Sequence, residues 1–90
     1  NHPPHLPLYQ IMSENGLKAI RESRGLSQGS LAREAEVNVR VLQHYEQGFR
    51  DINGAKLSTL LRLCLALGCR LEDILDDTET LELLRRYEER

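Results

Sequence analysis

Between Gly25 and Gly48 the chain carries two short amphipathic segments with only a few residues in which to turn from one into the other. Ser27 can cap the first segment and Asn38 the second, each offering a side-chain oxygen to the unpaired amides of a helix start, and Gly48 ends the second. Small Ala32 and Ala35 stand where two helices meeting at so tight a corner must approach closely. Leu31, Ala32 and Ala35 form the inward stripe of the first segment, Leu42 and Tyr45 that of the second, with Val39 and Val41 to be divided between core and surface. Ala32, Val37 and Leu42 then fix the crossing. A corner of this kind makes one helix a brace and leaves the outer face of 38–47 out of the core.

The rest of the chain supplies what those two helices lean on. Ser13 can cap a preceding helix containing Leu17, Ile20 and Arg21, with Glu14 at its positive end and Gly25 as its stop. Phe49–Gly54 reads as a loop, and Asn53 as the cap of a fourth helix. Leu57, Leu60, Leu61, Cys64 and Leu67 give that helix one broad apolar face, ended by Gly68. A short fifth helix holds Leu71, Ile74 and Leu75. Asp76-Asp77-Thr78 breaks the pattern before a last helical segment, Glu79–Arg90, with Leu81, Leu84 and Tyr87 at helical spacing and Glu82–Arg86 as an i,i+4 ion pair. The expectation is an all-α chain: an arm over 1–12, a compact five-helix domain over 13–75 and a helical C-terminal tail over 76–90. Three prolines (Pro3, Pro4, Pro7) make the arm extended or loosely ordered, with His2 and His5 as solvated side chains. Met12-Ser13-Glu14 reads like a natural start, with the residues before it an added leader.

Composition narrows the function. Ninety residues, 40% hydrophobic and 29% charged, suit one soluble domain. No apolar run approaches the roughly 18–20 residues that span a bilayer, and the opening lacks the features of a signal peptide, so a cytoplasmic protein is expected. Cys64 and Cys69 have no neighbouring His or Cys to complete a metal set and read as buried free thiols. No metal or cofactor is expected. The net charge of −2 does not advertise nucleic acid, but it is unevenly spread. Residues 1–50 carry six Lys/Arg against five Asp/Glu, and 51–90 carry six against nine. Local charge near phosphates decides DNA affinity, not the molecular sum.

The stretch LSQGSLAREAEVNVRVLQHYEQG, with the downstream LSTLLRLCLALGCRLEDIL, resembles the lambda-repressor/Cro class of helix-turn-helix domains, the Cro/C1 or XRE type, from about Leu17 to Leu75. The resemblance implies a lambda-repressor-like fold in which the helix over 38–47 reads double-stranded DNA in the major groove. It places Asn38, Val39, Arg40, Gln43 and His44 on the base-reading face. Arg40 matches guanine O6 and N7, and Val39 suits a thymine methyl. Gln28 resembles the family's phosphate-clamping glutamine. It stands with Ser27 at a helix start whose amides and dipole attract an anion. Arg50 and Lys56 fall where the family's loop and fourth helix run along the DNA backbone. Arg21 and Glu46 resemble the family's structural ion pair, which would neutralise an acid otherwise misplaced beside phosphate. Glu36 departs from the pattern, occupying a turn position where the family usually has glycine. A left-handed conformation there costs a side chain roughly 1–2 kcal/mol.

Two functions from different classes follow. The first is a sequence-specific transcriptional regulator, a repressor, acting as a homodimer with Leu81, Leu84 and Tyr87 as candidate dimer contacts. The second is an antitoxin-like module whose main task is to bind a partner protein, with or without DNA. No nucleophile–base set or substrate domain suggests an enzyme.

Overall fold

The computed structural model describes residues 16–90, and every element there is helical. The expected arm over 1–12, with His2 and His5, and the Ser13 cap lie outside the described residues. Six helices run in order: α1 Gly16–Ser23, α2 Gln28–Ala35, α3 Val39–Gln47, α4 Leu57–Leu67, α5 Leu71–Ile74 and α6 Thr78–Glu89, with a 3-10 turn at Ile52–Gly54. Leu17, Leu31, Leu42, Ile52, Leu63 and Ile74 are the fully buried large side chains, so every element from α1 to α5 contributes to one core. Gly16 begins α1 against α5. A Cβ there would collide with the Asp73 carbonyl oxygen, and the two backbones could not meet.

Four helices stop in the same way. After α1, α2, α3 and α4 one residue turns left-handed: Gly25, Glu36, Gly48 and Gly68. The residue that follows returns its N–H to the carbonyl five positions back: Leu26 to Arg21 at 3.2 Å, Val37 to Ala32 at 2.9 Å, Phe49 to His44 at 2.9 Å and Cys69 to Cys64 at 3.1 Å. This is the Schellman closure, which satisfies carbonyls that a helix end leaves unpaired. Glu36 adopts it with a side chain present (φ 57°, ψ 44°), so the turn between α2 and α3 keeps the left-handed geometry that glycine would favour. The closure also explains the five-residue spacing of the cysteines, which bracket the end of α4. Both thiols are free, Cys64 buried and Cys69 half-buried. Burial above all, then the neighbouring Cys69, pushes the Cys64 thiol up to about 12.

Three sequence expectations change. Asn53 does not cap α4. That helix starts from Lys56 with no side-chain cap, and Asp51 caps the 3-10 turn through the Asn53 amide. The Asn53 side chain instead reaches the corner before α6, where its Oδ1 accepts from the Asp76 and Asp77 amides, both at 3.0 Å. Its Nδ2 donates to Asp76 Oδ1 at 2.6 Å. Secondly, the buried face of α4 is Leu60, Leu63, Cys64 and Leu67, while Leu57 and Leu61 are exposed. The core on which α4 lies selects one side of a helix that is leucine-rich all round. Thirdly, Glu82 pairs with Arg85, one residue before Arg86, and Arg85 also reaches Glu89. The tail begins at Thr78, capped by Asp77, whose carboxylate accepts from the Thr80 hydroxyl and amide. Leu81 and Leu84 pack on the core from α6, whereas Tyr87 is exposed.

Candidate nucleic-acid interface

The turn between α2 and α3 determines what α3 can present. Ser27 Oγ accepts the Ser30 amide at 3.0 Å, and Asn38 Oδ1 accepts the Arg40 and Val41 amides at 2.8 and 3.3 Å, so both starts are closed by the side chains the sequence offers for them. Leu42 and Tyr45 anchor α3 to the core. Asn38, Val39 (41% exposed) and Arg40 project from its first turn, and Gln43 and His44 are half-buried one turn on. His44 meets the Phe49 ring edge-on, with centroids 5.9 Å apart. Phe49 is 75% exposed, although in the three other helix closures the corresponding residue is half-buried. No role for Phe49 was visible in the sequence; an aromatic immediately after a helix-ending glycine and before Arg50 was the available signal.

Behind this face lies a polar cluster. The Arg21 guanidinium on α1 grips Glu46 on α3, Nε to Oε2 at 2.7 Å and Nη2 to Oε1 at 3.0 Å, and also donates to the Leu26 carbonyl at 2.7 Å. The Glu46 side chain is only 2% exposed. Hydrogen bonding to Glu46 raises the Arg21 guanidinium above its ordinary value, against the opposing cost of burial. Gln28 Nε2 donates to Glu46 Oε1 at 2.9 Å, and Gln43 Nε2 donates to Gln28 Oε1 at 3.2 Å. Sequence reading assigned these side chains separately, two to an ion pair, one to phosphate and one to bases. The structure joins all four in a single chain of hydrogen bonds.

Arg50 and Lys56 are exposed and, with Asn38, line one shallow groove between the base of α3 and the start of α4. Ser27 and Gln28 stand at the start of α2, with the Ser27 hydroxyl engaged in its cap. No cluster of three or more His, Cys, Asp or Glu able to hold a metal occurs among the described residues. No described helix is long and apolar enough to cross a membrane.

A bracing helix, a tight left-handed turn and a second helix with its outer face exposed define a helix-turn-helix DNA-binding domain. The chain belongs to the Cro/C1-type (XRE) helix-turn-helix family, whose model matches residues 17–74. Two solved structures are similar over nearly the whole chain. One is the hypothetical transcription factor NHTF from Neisseria, with 24% identity and a TM-score of 0.61 over 93% of this chain and 96% of that one. The other is the clp gene regulator ClgR from C. glutamicum, with 21% identity and a TM-score of 0.57 over 91% and 95%. At these identities the likeness is one of fold. No curated protein matches the chain in sequence.

Proposed function

We propose that the protein is a sequence-specific regulator of transcription, a cytoplasmic repressor that carries out no catalysis and reads an operator with α3. The observation that carries this reading is the outer face of α3, where Asn38, Val39 and Arg40 project while Glu46 is neutralised behind them. In this reading Asn38, Val39, Arg40, Gln43 and His44 address base edges. Ser27, Gln28, Arg50 and Lys56 address phosphates, which position the domain without reading sequence. The names of the two similar structures, a transcription factor and a gene regulator, support the same assignment.

A single domain of this kind reads too few base pairs to find one operator in a genome, so it works as a two-fold dimer. Leu81 and Leu84 pack against the protein's own core, while Tyr87 and Leu83 on α6 and the stripe Leu57, Leu61 and Leu65 along α4 are exposed apolar side chains that a second copy could cover. The same stripe is what a partner-binding, antitoxin-like role would use. Selection from random duplexes at fixed salt tests both readings. A palindromic consensus is expected, with Arg40→Ala costing about 1–3 kcal/mol on it and relaxing one base position. Leu65→Glu should lower self-association in sedimentation. Uniform binding to all duplexes would overturn the regulator.

A further inference from the structure

We propose that Gln43 reads adenine, and that Glu46 and Gln28 hold its amide in the one orientation that does so. The proposal deepens the reading of α3 as the base-contacting helix and rests on it.

The chain of reasoning starts at the buried end. Glu46 is a carboxylate gripped by Arg21, and a carboxylate can only accept hydrogen bonds. The amide of Gln28 therefore has to turn its nitrogen toward Glu46, as it does at 2.9 Å. That choice leaves the Gln28 oxygen facing α3, where it can only accept. Gln43 must in turn direct its nitrogen inward, and it donates to Gln28 Oε1 at 3.2 Å. Reversing either amide would set oxygen against oxygen at one of the two joints. Both glutamines are half-buried, so water compensates such a reversal only in part.

The Gln43 amide has two N–H groups and one oxygen. One N–H is spent on Gln28, and what remains for an outside partner is the oxygen and the second N–H, one acceptor and one donor. In the major groove adenine offers the complement, an N6 amine and the N7 acceptor, whereas guanine offers the acceptors N7 and O6. An amide held the other way round would point both N–H groups outward and suit guanine. The buried acid on α3 thus sets a preference expressed two side chains away. Gln28 and Glu46 are positioning residues, and Gln43 is the group that touches the base.

The test is selection from randomised duplexes, with wild type, Gln43→Ala, Gln43→Glu and Gln28→Leu compared and folding checked by thermal unfolding. Wild type should prefer adenine over guanine about tenfold at one base pair of each half-site. Gln43→Ala should erase that preference and leave the position read by Arg40 intact, which identifies the base pair. Gln28→Leu keeps the Arg21–Glu46 pair and should reduce the adenine-to-guanine ratio at that position alone. A residue that only packs, or only holds phosphate, would weaken all duplexes by one factor. Gln43→Glu sets a carboxylate oxygen against Gln28 Oε1 and leaves no N–H for adenine N7, so it should lose the adenine preference. Gln28→Met, which removes the same hydrogen-bonding groups, keeps the proposal testable should Gln28→Leu fail to fold. An unchanged consensus in Gln43→Ala, or an unchanged ratio in folded Gln28→Leu, overturns the relay while leaving the regulator standing. A wild type with no base preference anywhere overturns both.

Discussion

The two sides of α2 are held by different physics. At its start, toward α3, the contacts are directional: the Gln28 amide lies between the Glu46 carboxylate, itself gripped by Arg21 of α1, and the Gln43 amide, each with a fixed donor and acceptor. Toward α4 they are apolar, built from side chains such as Leu31, Ala35, Leu63 and Leu67. Apolar packing fixes how far apart helices lie but says little about which way a polar group points. Hydrogen-bonded groups carry direction, and they occur on the side where the outer face of α3 must present defined donors and acceptors.

Breaking the directional side should do the most damage. Glu46→Ala leaves Arg21 buried without its partner and should cost about 3–5 kcal/mol. Replacing both residues should cost less than the two single losses combined, measured by denaturant unfolding. Leu63→Ala on the apolar side should cost about 2–5 kcal/mol, yet leave the base preferences of the surviving folded protein unchanged. A shift in consensus with Leu63→Ala would erase the distinction between the two sides.

A smaller effect comes from pH. The Cys64 thiol ordinarily titrates near 9.0 and in the folded protein near 12. Below about pH 9 both folded and unfolded chains keep the proton, and the thiol does not affect the balance. Between 9 and 12 only the unfolded chain releases it, so stability falls as pH rises through that window. Thermal unfolding of wild type and Cys64→Ala should converge across the window, and parallel curves would show the thiol to be less buried than it is drawn. The smallest effect belongs to Glu36→Gly. Relief of the left-handed strain, partly offset by the entropy of a freer unfolded chain, should stabilise the protein by up to about 1 kcal/mol. A loss of stability would mean that the Glu36 side chain makes contributions beyond its backbone.

Much of the framework was legible because it is written in neighbours. Ser27, Asn38, Gly25, Gly48 and Gly68 act on residues within one turn, and each does in the structure what its local chemistry predicts. Arg21 and Glu46 were found only through the family pattern, since no local rule links positions 25 residues apart. The expectations that failed depended on what lies across the fold. Asn53 looks like a cap because it precedes a helix, but its side-chain oxygen serves amides 23 and 24 residues away. Leu57 and Leu61 cannot be told from Leu63 by hydrophobicity, only by where α4 meets the core. The coupling of Gln28 to Gln43 depends on the angle between α2 and α3, which side-chain identity does not encode.

The Asn53 bracket has a consequence for how the protein meets its ligand. It ties the segment between Arg50 and Lys56 to the corner before α6, so this stretch, which carries two of the proposed phosphate contacts, is pinned at its middle before any DNA arrives. The conformational freedom of that stretch was given up during folding and need not be surrendered again on binding. Association there becomes a meeting of shapes already set, with encounter governed by charge and diffusion and not by a slow ordering step.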